Sequence, residues 1–424
     1  MERNAYELLK ERGFLYQTTD DDALVDILGK EKVTCYIGFD ATADSLHIGS
    51  LVPIMALVHM QSCGHKPIAL LGGGTTMVGD PSGKTEMRKM LTIEQINEFG
   101  EGIKAQFARY LDFSNEKALM LNNAEWLLPL NYIEFLREVG VHFSINRMLT
   151  AESVKQRLET GLSFIEFNYM LLQSYDFYVL AKEQNCVLQM GGQDQWGNIV
   201  AGSDLTRRKL GKQVYGMTFP LITTSSGEKF GKSAGNAIWL DAKKTTPYDF
   251  YQYFRNADDR DVAKYLGLFT LLPMDEVKRL PEENVNRAKE ILAYEVTKLA
   301  HGKEEALKAF TASTQQFGQS DPDCQVQTSS DLVSFKLDVS ANLPTVELSK
   351  SLLEGEGLWI VKLFAESGLC ASNGEARRLI KQGGAAMNEE KITDDGLNIT
   401  EAHLADGTVI LKAGKKRFKR VVFV

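Results

Sequence analysis

Short apolar runs alternate with longer amphipathic stretches through the first half of the chain. VTCYIGF (Val33 to Phe39) is apolar at nearly every position and predicts a strand buried on both faces; LHIGSLVPIMALVHMQSCG after it predicts a helix closed at Gly64. HKPIALLGGG repeats the strand and glycine turn, and ALMLNN and VLQMGGQDQWGN continue the pattern. Strands alternating with helices in this way predict a parallel sheet wrapped by helices. The expected fold is α/β, with a Rossmann-like doubly wound parallel sheet in a first domain over residues 1–225.

From Thr246 the period becomes helical alone, through PYDFYQYFRNADDRDVAKYLGLFTLL and EENVNRAKEILAYEVTKLAHGKEEALKAF, which predicts a helical domain over residues 226–310 opened by a lysine-bearing loop. Residues 311–350 begin TASTQQFGQSDPDCQVQTSS, polar and poor in aliphatics, as expected of a linker. Residues 351–424 predict a small α+β module: a helix with the Ser372-x-x-Glu375 capping spacing, the basic turn ARRLIKQGGAAMN, and short strands ending in FKRVVFV. No internal repeat is visible.

With 424 residues, 44% of them hydrophobic, the chain can bury large cores in several domains. No stretch approaches the roughly 18 apolar residues of a membrane span, and the start, MERNAYELLKERG, is charged where a signal peptide is greasy, so the expected location is the cytoplasm. Cys35, Cys63, Cys186, Cys324 and Cys370 stand singly, which predicts reduced thiols and no structural metal. The net charge of -8 is uneven: residues 371–424 carry ten Lys or Arg against seven Asp or Glu, about +3, so the rest carries about -11. A charge run is often only a solvated face; here it is a first hint of an RNA contact in the tail.

Four segments carry candidate chemistry. GFDATADSLHIGS (Gly38 to Ser50) joins a strand end to a helix start through a small polar loop, where free N–H groups attract phosphates. His47 there could donate to a phosphate or simply cap the helix, and Gly49 could leave room for an adenine ring. SGEKFGKSAGN sets Lys229 and Lys232 among glycines and small polar residues, as suits a cationic loop over a triphosphate. In FNYMLLQSYDF, Tyr169, Gln173 and Asp176 share one helix face. A wet amphipathic helix would look similar, but the apolar flanks suit a buried, polar-lined pocket better. LQMGGQDQWGN ends a strand in Gly191 and Gly192, with Asp194 and Gln195 placed to meet ribose hydroxyls or merely to form a turn. GDPSGKT (Gly79 to Thr85) looks like a P-loop but has three residues between its glycines where a phosphate cradle has four, and Pro81 removes an N–H.

In this order the segments resemble the class I aminoacyl-tRNA synthetases, with HIGS similar to their HIGH signature and KFGKS to KMSKS. YIGFDATADSLHIGS, GDPSGK, the YxxxQxxD helix and GGQDQWGN resemble the bacterial tyrosyl branch over essentially the whole chain. The resemblance implies a two-step tyrosine–tRNA ligase reaction. It implies L-tyrosine, ATP carrying its own Mg2+, and tRNA as substrates, with no protein-held metal, no membrane and a homodimer. By the same likeness Tyr36 and Asp176 hold the phenol, Asp80, Tyr169 and Gln173 hold the ammonium, and Gln195 lies near the carboxylate. Gly38, Asp40, Gly49, Ser50, Gly192 and Asp194 line the nucleotide site, while Thr42, His47, Lys229 and Lys232 stabilise the departing pyrophosphate. The terminal module resembles a small RNA-binding unit, which points to Arg377, Arg378, Lys381, Lys415, Lys416 and Arg417 as RNA contacts. Ser50 replaces the second signature His, and Phe230 and Gly231 depart from the KMSKS wording. A tryptophan-specific relative and a catalytically silent RNA-binding protein on the same scaffold are the competing readings.

Overall fold

Six strands build the first sheet of this computed structural model, which describes residues 3–82, 91–225, 227, 230–233, 236–334, 345–388, 390–404, 407–414 and 417–424. They are β1 (Gln17–Thr18), β2 (Thr34–Phe39), β3 (Lys66–Leu71), β4 (Leu119–Asn122), β5 (Cys186–Gly192) and β6 (Tyr215–Phe219), in spatial order β1-β6-β5-β2-β3-β4. Every pairing is parallel except β1 with β6. From β2 the chain winds outward through β3 and β4, then returns to lay β5 and β6 on the other side of β2. The order therefore reverses between β2 and β5, the place where an open α/β sheet offers a crevice beyond its strand ends.

Helices cover the sheet because its strands are apolar on both faces. Helix α1 (Leu51–Ser62) is buried almost all round, which explains why its sequence lacks a polar stripe. It packs on β3 and on a helix of the following helical part. Helices α2 (Tyr169–Glu183) and α3 (Trp196–Leu210) flank β5 and pack extensively on each other.

The helical part comprises α4 (Pro247–Arg255), α5 (Val262–Phe269), α6 (Met274–His301) and α7 (Lys303–Phe317). Thr246 caps α4, accepting from the Asp249 N–H at 3.1 Å, with Pro247 in the first turn where its missing N–H costs nothing. The Arg12 guanidinium, 6% exposed, donates to the carbonyls of Gly267, Thr270 and Leu272 at 3.0, 2.8 and 2.6 Å. It thereby satisfies the C-terminal end of α5 from the N-terminal segment.

The chain divides into two compact units, Met1–Ser334 and Phe335–Val424. The linker expected over 311–350 is corrected in its described first part. Helix α7 runs to Phe317, and residues after it lie against α6. Their polarity serves buried charge rather than solvent. The Ser320 N–H donates to Glu290 at 2.8 Å, Ser329 N–H and Thr328 Oγ1 donate to Glu276, and Ser330 Oγ donates to Glu295 at 2.6 Å. Arg287, wholly buried, pairs with Glu290 at 3.0 Å and donates to the Leu332 carbonyl at 2.8 Å.

In the second unit, five strands order as Glu390–Lys391, Ala385–Met387, Thr408–Ala413, Arg417–Phe423 and Thr345–Leu348. Helix α8 (Asn373–Lys381) is capped by Ser372, while Glu375 reaches back to the Ala371 N–H at 2.8 Å. No helix among the described residues is long and apolar enough to cross a membrane.

Truncation should expose this latch. A chain ending at residue 334 should keep the denaturant midpoint of its first unit. A chain ending at residue 317 should lose about 3 kcal/mol or more, because Glu276 loses its Thr328 and Ser329 donors while Glu290 loses Ser320 and Glu295 loses Ser330. Equal urea midpoints for the two truncations would contradict the assignment of 318–334 to the folded unit.

Candidate active site

At the carboxyl ends of β2 and β5 lies a cavity of about 830 Å³, lined among others by Tyr36, Gly38, Asp40, Thr42, His47, Ser50, Asp80, Tyr169, Gln173, Asp176, Gly192, Asp194 and Gln195. The turn of the helix repeat explains one wall: Tyr169, Gln173 and Asp176 project from one face of α2, and Tyr169 and Asp176 are only 6% and 2% exposed. The strand period explains another, since Tyr36 and Gly38 sit two residues apart on β2. A Cβ built on Gly38 would meet nothing within 4 Å, so this glycine opens directly onto free volume.

The inner end of the cavity is buried and polar. The Asp176 carboxylate accepts from Asn123 Nδ2 at 2.9 Å and from the Trp126 indole N–H at 2.7 Å. Burial pushes its pKa up to about 7 against the pull of those two donors, and the charge of Asp40 adds to the rise. The Tyr36 hydroxyl is buried and has no hydrogen-bond partner among the described residues, and burial beside Asp176 holds its pKa well above the ordinary phenol value. Gln189 pairs with Tyr36 in strand register, and its Oε1 is likewise buried without a partner.

A second cluster lies nearer the middle. Tyr169 Oη donates to Asp40 at 3.1 Å and Thr75 Oγ1 to the other Asp40 oxygen at 2.9 Å. Asp80 accepts from the Ser82 N–H at 2.9 Å and from Gln195 Nε2 at 2.7 Å. Burial, then the charge of Asp40, pushes Asp80 up to about 6. Asn198 Nδ2 donates to Gln173 Oε1 at 3.0 Å and to Gln195 Oε1 at 3.2 Å, which fixes the orientation of both amides. Asp40, Asp80 and Asp176 bring three carboxylates to the cavity lining, a chemistry suited to a small positive group.

The outer end carries the HIGS turn. His47 Nδ1 accepts from the Gly49 N–H at 3.0 Å, which puts the proton of the neutral ring on Nε2. His47 therefore both caps the short helix Ile48–Ser50 and lines the cavity. Gly49 is needed for that cap: a Cβ there would stand 2.5 Å from His47 Cε1, so the space beside it holds the imidazole. Residues 236–240 run alongside, with the Ile48 N–H donating to the Ile238 carbonyl at 2.9 Å and His47 bridging Trp239. Gly231 reaches the same turn, since a Cβ built on it would come within 3.4 Å of the Gly49 nitrogen. Lys232 lies one residue further on, in the strand Lys232–Ser233. Lys229 lies outside the described residues, as do Lys415 and Lys416.

Sequence reasoning missed Thr75, Asn123, Gln189 and Asn198. Gln189 carried a usable signal, a lone polar side chain inside the apolar strand CVLQMGG. Asn123 closes ALMLNN but acts on Asp176 across 53 positions, which no local pattern reports. Among the described residues no cluster of three or more His, Cys, Asp or Glu is arranged to hold a metal ion, and all five cysteines are free.

In the second unit Arg377, Arg378 and Lys381 lie exposed on α8. The Arg377 guanidinium stands 4.8 Å from the Trp359 ring centroid, and Arg377 and Lys381 each approach Asp395 at 3.9 Å. Arg417 donates to the Leu369 carbonyl at 2.9 Å while much of its side chain remains exposed.

Residues 29–318 match the family described as tRNA synthetases class I (W and Y), and residues 337–421 match the tyrosine–tRNA ligase SYY-like C-terminal domain. A tyrosine–tRNA ligase of Clostridium kluyveri is 53% identical over 99% of both chains, and one of Clostridium tetani is 52% identical over 100% of both. Among solved structures, a C-terminally truncated mitochondrial tyrosyl-tRNA synthetase of Aspergillus nidulans aligns with a TM-score of 0.68 at 32% identity, covering 74% of this chain and 95% of that one. A polar cavity at the sheet's switch point, flanked by the HIGS turn and the lysine segment, thus coincides with a family match over most of the chain, and the chain belongs to the class I tRNA synthetases of the tryptophan and tyrosine group.

Proposed function

We propose that this chain is a tyrosine–tRNA ligase acting in the cytoplasm. Its substrates are L-tyrosine, ATP with magnesium bound to the phosphates, and tRNA. The observation that carries the reading is the inner end of the cavity, where the buried Asp176 carboxylate and the partnerless Tyr36 hydroxyl stand ready for a hydroxylated ring. In the proposed pose the substrate phenol donates to Asp176 and accepts from Tyr36. Its ammonium lies among Asp80, Tyr169 and Gln173, and its carboxylate is directed past Gln195. Gly38, Asp40, Gly49, Ser50, Gly192 and Asp194 take the nucleotide. Thr42, His47, Lys229 and Lys232 take the β- and γ-phosphates.

The substrate carboxylate oxygen then attacks the α-phosphorus, forming the mixed anhydride while the bond to pyrophosphate breaks. A ribose hydroxyl of the tRNA terminus next attacks the carbonyl carbon, and AMP leaves. No covalent enzyme intermediate is required; positioning and stabilisation of developing phosphate charge carry the chemistry. Rejection of phenylalanine follows from polar groups left unpaired without a hydroxyl, for which this enzyme class is itself the standard illustration. The exposed basic face of α8, with Arg377, Arg378 and Lys381, together with Arg417, Lys415 and Lys416, is the proposed RNA contact. Homodimerisation is supported by exposed apolar side chains from one stretch of chain, Ile133, Val141, Ile145 and Phe164, at 61, 70, 62 and 72% exposure.

The decisive measurement is ATP–pyrophosphate exchange with tyrosine and with tryptophan. Tyrosine alone should support exchange; exchange driven by tryptophan would select the rival, and none with either would leave a silent scaffold. Asp176→Ala should weaken tyrosine binding about tenfold to a hundredfold while ATP binding holds, the expected loss for a hydrogen bond to a charged group. Unchanged tyrosine affinity would remove Asp176 from the pocket.

Acid should weaken tyrosine binding in a defined window. Asp80 titrates near 6 in the free cavity, so below that pH an arriving ammonium must first displace a proton. Affinity measured by calorimetry should fall as pH drops through 7, where Asp176 takes up a proton, and further through 6, where Asp80 does, and Asp80→Asn should remove the lower of the two steps at a lower affinity. A wild-type affinity independent of pH between 5 and 7 would refute the ammonium assignment.

Phe164→Asp combined with Val141→Asp should shift the protein to a monomer in analytical ultracentrifugation. A pair of charges that leaves the dimer intact would place the subunit contact elsewhere.

A further inference from the structure

Two residues of the lysine segment do not behave like part of a surface loop. Phe230 is 5% exposed, enclosed by aromatic rings of the helical part. Its ring stacks on Phe269 at 5.3 Å and 10°, meets Tyr265 at 5.1 Å and Tyr253 at 5.8 Å, and approaches Phe254 at 6.4 Å. Next to it, the Gly231 N–H donates to Tyr253 Oη at 3.1 Å. On the other side of the segment, Ser225 donates from its N–H and its hydroxyl to Asp261 at 2.9 and 3.0 Å. Both anchors belong to one body, since Asp261 directly precedes α5 and Phe269 ends it.

Gly231 also faces the HIGS turn. Its φ of +94° is accessible to glycine and strained for other residues, and a Cβ would press within 3.3 Å of Ile48 Cγ1 and 3.4 Å of the Gly49 nitrogen. Its carbonyl accepts from the Ile238 N–H at 3.1 Å, and the Ile238 carbonyl accepts from the Ile48 N–H at 2.9 Å. A backbone path thus runs from the aromatic cage through Gly231 to the residue beside His47.

We infer that Phe230, with Tyr253, is a positioning residue for the activation step: the cage fixes the backbone at Phe230 and Gly231, next to Lys232, whose charge the proposed reaction uses on the departing pyrophosphate. Neither ring touches substrate. Their effect lies in the backbone entropy removed before the reaction, since each residue left to be ordered in the transition state costs about tenfold or more in rate. The departure of Phe230 and Gly231 from the KMSKS wording is then functional, the phenyl ring filling the cage and the glycine taking the conformation that the close approach to Gly49 requires. This inference rests on the proposed function, because it needs a pyrophosphate leaving group beside the two lysines.

The test is single-turnover adenylate formation with tyrosine and ATP in the full-length chain, alongside tyrosine affinity by calorimetry. Phe230→Ala should slow activation about tenfold or more with tyrosine affinity unchanged, and Phe230→Leu should recover most of the rate by refilling the cage. Tyr253→Phe keeps the ring, removes the hydroxyl that accepts from the Gly231 N–H, and should slow activation about threefold or more; it serves as the reporter should Phe230→Ala fail to fold. A wild-type rate in any folded Phe230→Ala or Tyr253→Phe protein overturns the inference. So does a loss of tyrosine affinity equal to the loss of rate, the mark of general damage. Absence of tyrosine-dependent activation in the unmodified protein would instead remove the functional reading itself.

Discussion

The Asp176 carboxylate lies 2% exposed between the Asn123 amide and the Trp126 indole, and the chemistry of the inner cavity follows from how those two donors divide their work. A carboxylate this deep is expensive to ionise, and its elevated pKa records the imbalance between burial and the two hydrogen bonds. Two donors are enough to orient it and too few to satisfy it, so acceptor capacity is left for one further hydroxyl. The same shortage recurs at the Tyr36 hydroxyl and Gln189 Oε1, both buried and unpaired among the described residues. Polar groups under-satisfied in the free protein discriminate strongly, because a ligand lacking the matching hydroxyl leaves the whole desolvation cost in place.

That carboxylate is also tied to the other end of the cavity. Asn123 Nδ2 donates to Thr75 Oγ1 as well as to Asp176, Thr75 donates to Asp40, and Asp40 accepts from Tyr169 on the same helix as Asp176. The network joins the ends of β2, β3 and β4 to α2, so the switch point of the sheet supplies stiffness as well as a crevice. Stiffness is what positional catalysis requires, since dipoles that need no reorganisation during reaction stabilise developing charge most effectively. The helical part contributes in the same manner from outside, with Arg12 closing the end of α5 and α5 carrying the rings that hold Phe230.

Much of this was written locally in the sequence. The parallel sheet was legible because β2, β3 and β5 are apolar runs ending in glycine or small polar turns, and the helix face of Tyr169, Gln173 and Asp176 because the 3.6-residue period is strict. What stayed hidden works across sequence distance. Asn123, Thr75 and Asn198 are ordinary polar residues at element ends until the fold sets them against partners 25 to 53 positions away. The stretch after Phe317 misled for a different reason. Its serines, threonines and acids have the composition of a solvated linker, yet they are the ligands of buried charges on α6, and composition does not distinguish water from a buried glutamate as the partner of a hydroxyl.

The separation of charge along the chain fits a division of labour. The residues before 371 carry about -11 and contain the cavity, whose own lining at Asp40, Asp80 and Asp176 favours a small ammonium and disfavours a polyanion held at random. Affinity for an RNA backbone comes chiefly from counterion release and needs clustered cations, and basic residues of the chain cluster in its second compact unit. The lysines of the KFGKS segment stand apart from that division, and Phe230, two residues before Lys232, is held among aromatic rings of the helical part.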